Sequence, residues 1–193
     1  MGKFSDYEYR KQPGFDMSAF DGANQAIPMK TLVIYCLDPR AVEIPHAIAD
    51  YFGDEVYPGD IITDENGTRV GSTRTLFTAT NAGGRAAFAL DVVAAMDYLF
   101  KVKNVIVVHH SFCGTTTLTP ELMVKKFHDH HHADISTLFD HDSLAIMDFE
   151  ESLNYDIKLL RSSPAVPKHI KLYGFFYEIS SGTLTEVVRD IPA

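Results

Sequence analysis

Apolar residues in this chain fall into short unbroken runs that alternate with longer stretches of mixed character. Residues 31–36, Thr-Leu-Val-Ile-Tyr-Cys, and the run Asn104–His110 have the length and β-branched content of strands buried on both faces of a parallel sheet. Thr75–Thr80 reads as a further strand, and His169–Tyr177 as another. Ser180-Ser181-Gly182 is a hairpin turn into a last strand over Thr183–Val188. Between them, residues 41–52 read as a helix that Pro45 starts or interrupts. Arg85–Phe100 reads as a helix apolar nearly all round, broken chiefly by Asp91 and Asp97. Residues 143–161 form an amphipathic pattern, with Leu144, Met147, Leu153, Ile157 and Leu160 near helical spacing before Ser162-Ser163-Pro164. Strands alternating with helices predict an α/β fold: a mainly parallel central sheet, flanking helices and an antiparallel edge strand.

Residues 1–29 show no clear period and carry the turn-formers Pro13, Gly14, Gly22 and Pro28. They are expected to form a loose arm, with one short helix near Met17–Phe20. No internal repeat is present, and 193 residues suit one domain, 1–193, large enough to bury a core. A helix without a polar face, such as that over Arg85–Phe100, calls for cover on most sides, which points to a subunit interface. The net charge of −9 argues against nucleic acid or an anionic membrane as partner. No apolar stretch approaches the roughly 20 residues of a membrane span. The charged start, MGKFSDYEYRKQPGFD, has no apolar core of a signal peptide. Met1-Gly2 fails as an acylation start because position 6 is Asp. A cytoplasmic, thiol-reducing setting is the expectation.

The candidate chemistry sits just past two of the strands. The first run ends in Cys36-Leu37-Asp38-Pro39-Arg40 and the second in His110-Ser111-Phe112-Cys113, which together hold both cysteines of the chain. In an open parallel sheet, function collects beyond the carboxyl ends of the strands. Two thiolates and an imidazole are zinc ligands, and with no third cysteine the fourth place falls to a water, a carboxylate or another histidine. Three ligands and an open position are the catalytic pattern. Asp38 lies two residues from Cys36, and Arg40 two beyond it. Arg40 can grip that carboxylate bidentately, leaving Asp38 to orient zinc-bound water or to swing onto the metal as a fourth ligand and close the site. The pair also has a plain reading as a structural ion pair. Because two thiolates cancel the charge of a divalent ion, the bound water should be less acidified than the value of about 7 found with three histidines. Activity should therefore rise with pH.

His109 is expected to face away from His110, packed behind the site. The cluster His128, His130, His131 and His132, with Asp129, Asp134 and His141, reads as a solvated loop or helix end rather than a second metal site. Asn81-Ala82-Gly83-Gly84 is a turn where backbone must bend or come close to something. It matches no phosphate-loop pattern.

Taken together, these residues resemble the β-class carbonic anhydrases, over most of the chain from near Lys30 to near Asp190. Cys36, Asp38 and Arg40 stand where that family has C-x-D-x-R, and His110 and Cys113 where it has H-x-x-C, followed by Gly114. Asn81, Gly83 and Gly84 fall on the family's N-A-G-G or N-A-G-N turn. The resemblance implies Zn2+ held by Cys36, His110 and Cys113, and Asp38 with Arg40 as a catalytic dyad. It also implies a homodimer or a dimer of dimers, with the amino-terminal arm packing on a partner subunit. The chain departs from the family at His109, where Gly is usual, at Thr80, where Arg is frequent, and at Pro39, where Ser is common. The expected reaction is attack of zinc hydroxide on the central carbon of a small linear neutral substrate. Hydration of carbon dioxide to bicarbonate leads. Hydrolysis of carbonyl sulfide to hydrogen sulfide and carbon dioxide uses the same ligands. A zinc-stabilised binding or sensor protein without turnover is the reading of another class, and it would keep Asp38 on the metal.

Overall fold

The computed structural model describes residues 4–16, 28–138 and 144–192. Seven strands and four helices are assigned within them: β1 Thr31–Cys36, α1 Ile44–Phe52, β2 Ile61–Thr63, β3 Arg69–Ser72, β4 Leu76–Asn81, α2 Leu90–Phe100, β5 Asn104–His110, α3 Pro120–His131, α4 Phe149–Ser162, β6 Lys171–Glu178 and β7 Thr183–Asp190. The main sheet runs β4-β1-β5-β6-β7, with β2 and β3 in a separate antiparallel pair. β4, β1, β5 and β6 are parallel, and β7 is the antiparallel edge. This is the expected α/β architecture.

Side chains of the central strands alternate between two cores, as a sheet buried on both faces requires. Leu32, Ile34, Val105, Val107 and Leu172 point to one face, where Val93 of α2 and Leu153, Ile157 and Leu160 of α4 cover them. Val33, Ile106, Val108, Tyr173 and Phe175 point to the other, against Ile44 and Ile48 of α1. The register sets Cys36 beside Asn81, while Tyr35 pairs with Val108 and His110 with Tyr177. The carboxyl ends of β4, β1 and β5 therefore form one ledge.

The boundaries differ from the expected ones for identifiable reasons. α2 begins at Leu90 rather than Arg85, because Arg85 is extended (φ −78°, ψ 136°) and turns its side chain inward to Asp156. Along α2 only Val93 is fully buried, and Ala94, Ala95 and Tyr98 stay exposed in the single chain. α4 starts at Phe149, where the Asp148 side chain caps it by accepting from the Glu151 N–H at 2.9 Å. Leu144 and Ile146 are buried ahead of that helix, and Met147 points out. Ladder pairing of β6 begins at Lys171 rather than His169, because the Ile170 N–H closes a turn onto Pro167. β7 runs on to Asp190, which pairs with Leu172. The β2–β3 hairpin and α3 were not anticipated. In the arm, residues 5–7 and 9–11 form two short 3₁₀ turns, and the expected helix at 17–20 lies outside the described residues. No helix among the described residues is long and apolar enough to cross a membrane.

Candidate active site

Cys36 is the last residue of β1 and His110 the last of β5, on adjacent parallel strands. The chain then turns at Ser111-Phe112, with Phe112 in the left-handed region (φ 56°), and this returns Cys113 to the same place. Donor atoms of Cys36, His110 and Cys113 lie within 4.8 Å of one another, and all three residues are buried. Among the described residues this is the one such cluster of three.

The residues fit a zinc ion in three respects. The Cys36 and Cys113 sulfurs are 3.7 Å apart, whereas two sulfurs bound tetrahedrally to one zinc at about 2.3 Å stand about 3.8 Å apart. Both cysteines are free thiols. The Nδ1 of His110 faces the Ser111 carbonyl at 3.0 Å, while its buried Nε2 has no hydrogen-bond partner. That hydrogen bond sets the tautomer that leaves Nε2 as an electron-pair donor. The Cys36 thiol holds the Cys113 thiolate well below the usual thiol range, helped by His110 and Thr115 against desolvation. Cys36 is in turn pushed up, first by that hydrogen bond and then by burial. A cation among these three donors would take the place of the proton between the sulfurs, and a soft sulfur and nitrogen donor set suits zinc over magnesium or calcium.

Asp38 is held by Arg40 and is not part of the donor cluster. Arg40 Nε donates to Oδ1 at 3.0 Å and Nη2 to Oδ2 at 2.6 Å, and the Arg40 backbone N–H also reaches Oδ1 at 2.9 Å. The carboxylate thereby caps the short 3₁₀ turn Pro39–Ala41. The Arg40 hydrogen bonds hold the Asp38 carboxyl well below the usual carboxylate range. Asp38 is thus an ionised, oriented acceptor beside the sulfurs.

The Asn81–Gly84 turn closes the ledge. Asn81 clamps the backbone of Arg85, accepting from its N–H at 2.8 Å and donating to its carbonyl at 3.0 Å. Gly83 and Gly84 both have positive φ, at 74° and 68°. A Cβ on Gly84 would stand 2.8 Å from the Tyr35 and Val108 backbones, so the turn sits directly on β1 and β5. The close approach expected of this turn is to the sheet at Gly84 and to the Thr115 side chain at Gly83.

Behind the site, His109 does point away from His110: its Nε2 lies 3.2 Å from Asp156 Oδ2. The same carboxylate receives Arg85 Nε at 2.9 Å and Nη2 at 3.2 Å, with both side chains almost wholly buried. This network was not anticipated. Its one sequence signal was Asp156 at helical spacing from Leu153 and Leu160, on the apolar face of the amphipathic segment. In front, a cleft of about 410 Å³ is lined by Ser111, Phe112, Thr116, Ile146, Met147 and Phe149. Ile146 also packs on Cys36 and Cys113, so this mostly apolar cleft adjoins the sulfurs. His128, His130 and His131 occupy the exposed last turn of α3, and His132 follows it as the cap. No three of these groups come together as a cation site among the described residues, and His141 lies outside them.

No protein-family model and no curated protein sequence matches the chain. Solved structures do. A carbonic anhydrase from Glaciozyma antarctica is similar at 20% identity and TM-score 0.64, over 94% of this chain and 99% of that one. The β-carbonic anhydrase isoform I of Trichomonas vaginalis is similar at 16% identity and TM-score 0.61, over 86% of this chain and 85% of that one. The apo form of a carbon disulfide hydrolase is similar at 20% identity and TM-score 0.55, over 86% and 81%.

Proposed function

We propose that this chain, which has the β-carbonic anhydrase fold, is a zinc enzyme of that family that hydrates carbon dioxide to bicarbonate. The observation that carries the reading is the meeting of Cys36, His110 and Cys113 in one buried cluster, with Asp38 gripped by Arg40 beside it rather than within it. A structural site would have no use for an oriented, ionised carboxylate next to an incomplete ligand set.

Zinc held by Cys36, His110 and Cys113 would supply Lewis acidity and make a water acidic enough to react near neutral pH. The chain's own groups do the rest. Asp38 accepts the hydrogen bond of the attacking water and aims its lone pair. Arg40 fixes Asp38 in the one orientation that does so, and keeps it ionised. The mostly apolar cleft beside Ile146 and Phe149 takes up a small neutral molecule and offers nothing to bind an ionic one tightly. Water adds to the carbon, one proton leaves for buffer, and bicarbonate departs. The working unit in this reading is a homodimer or a dimer of dimers. The open face of α2 and the arm before Lys30 would meet the partner.

A second reading is favoured by the same apolar lining, which suits a larger, polarisable sulfur atom. It is hydrolysis of carbonyl sulfide to hydrogen sulfide and carbon dioxide. One experiment decides: kcat/KM for both substrates on one preparation of measured zinc content. Fast carbon dioxide hydration supports the first reading. Strong carbonyl sulfide turnover with feeble hydration supports the second. Full zinc loading with neither activity leaves the non-catalytic zinc protein.

A further inference from the structure

The two sulfurs of the cluster differ in what surrounds them. Cys36 Sγ meets Cys113 Sγ at 3.7 Å. Cys113 Sγ meets in addition the Thr115 hydroxyl, whose Oγ1 is 3.1 Å away. Thr115 is buried, at 6% exposure. Gly83 makes its place, since a Cβ at residue 83 would stand 2.9 Å from Thr115 Oγ1 and 3.2 Å from its Cγ2. A thiolate carries no proton, so when Cys113 is a ligand the hydroxyl must be the donor.

We propose that Thr115 is a positioning residue for the metal centre, which uses its hydroxyl to orient the Cys113 thiolate and draw charge from that sulfur. The proposal rests on Cys36, His110 and Cys113 being the ligands. It assigns a purpose to the absence of a side chain at residue 83: the turn stays bare so that a hydroxyl can reach the sulfur. Partners that hydrogen-bond a metal ligand typically change metal affinity by about 10- to 100-fold when removed.

The test compares Thr115→Val, which keeps shape and loses the hydroxyl, with Thr115→Ser, which keeps the hydroxyl. Each protein is loaded with cobalt(II), and the sulfur-to-cobalt charge-transfer band is recorded. Zinc affinity is then measured by competition with a chelator. In Thr115→Val the band should move to lower energy, because the sulfur holds its electrons less tightly, and zinc affinity should fall by about 10-fold or more. Thr115→Ser should match the wild type in both. Thr115→Ala, read the same way, serves if the valine variant does not fold. An unmoved band and unchanged affinity in Thr115→Val, with a normal band in the wild type, overturn the role of Thr115 alone. A serine variant that behaves like the valine variant does the same, by assigning the effect to packing of the methyl group. A wild type without any charge-transfer band overturns the ligand assignment, and this proposal with it.

Discussion

Arg40 ties the two halves of the site together through Phe112: the Nη2 that donates to Asp38 at 2.6 Å also donates to the Phe112 carbonyl at 3.0 Å. Phe112 lies between the proposed ligands His110 and Cys113 with φ at 56°, a conformation that costs a non-glycine residue about 1 kcal/mol. The guanidinium thus sets both the carboxylate and the bend that returns Cys113 to His110. A lysine cannot make these contacts at once, because its ammonium is a point charge without a planar fork. Arg40→Lys and Asp38→Ala should each lower kcat/KM by about 100-fold or more, the size expected of an oriented proton acceptor. Zinc content by mass spectrometry should stay at the wild-type level in Asp38→Ala, because Asp38 is outside the donor cluster. Full activity in Asp38→Ala would remove the role given to the pair.

The pH dependence follows from the sign of the Asp38 shift. Arg40 hydrogen bonds depress this carboxyl in the folded protein, relative to about 3.9 in the unfolded chain. Its contribution to stability is therefore present above that unfolded value, and is lost as pH falls through the folded one. From pH 5 upward Asp38 is ionised and adds no limb to the activity profile. In the proposed zinc enzyme the rise would belong to the bound water, whose midpoint should lie above about 7 because two thiolates would cancel the metal charge. A pH–rate profile between 5 and 9 should climb steadily. A flat profile, or one whose midpoint sits in the carboxylate range, refutes the assignment.

Gly84 and Gly114 flank the same site but carry opposite expectations. Gly84 has φ at 68° and backbone atoms of Tyr35 and Val108 within 2.8 Å of where a Cβ would sit. Gly114 has nothing within 4 Å and no positive φ. Gly84→Ala should cost about 2 kcal/mol or more, from a strained backbone and an overpacked contact that no side chain can relieve. Gly114→Ala should stay within about 0.5 kcal/mol of the wild type. Urea unfolding of both variants checks the contrast, and equal stabilities would mean that the turn does not sit on the sheet as described.

Much of this was legible in the chain because the signals were local. Unbroken runs such as Val105–Val108 betray strands covered on both sides, and the two cysteines stand directly at strand ends. Part of what stayed hidden depended on a partner distant in sequence, and part on local signals too weak to stand out. Arg85 looked like the first residue of a helix, yet Asp156, 71 positions away, pulls it out of one. Asp148 outcompetes the apolar pattern around Leu144 for the start of α4, since a cap is worth more there than continued periodicity. α3 escaped because its apolar residues are few and its end is a string of histidines that favours no periodicity. Thr115 is equally mute in sequence. Only the fold brings its hydroxyl to Cys113 and Gly83 together.

The buried network behind the ligands should be costly to break and cheap to remove. Arg85 and Asp156 have side-chain exposures of 1% and 0%, and they share two hydrogen bonds. Burial lowers the pKa of His109, so it stands there neutral, with its Nε2 on the same carboxylate oxygen. Removing Asp156 alone leaves the Arg85 charge in the core without its carboxylate, with the Ala145 carbonyl as an acceptor, a change that costs about 3–5 kcal/mol. For a domain of this size that corresponds to a fall in Tm of about 6 °C or more. Removing both charges is different, because desolvation of the pair offsets much of its attraction. Arg85→Met combined with Asp156→Leu should therefore recover most of the stability lost in Asp156→Ala. Calorimetry of the two variants gives the answer directly. A double variant no more stable than the single one would show that the geometry of the turn at Arg85, rather than charge compensation, is what the pair supplies.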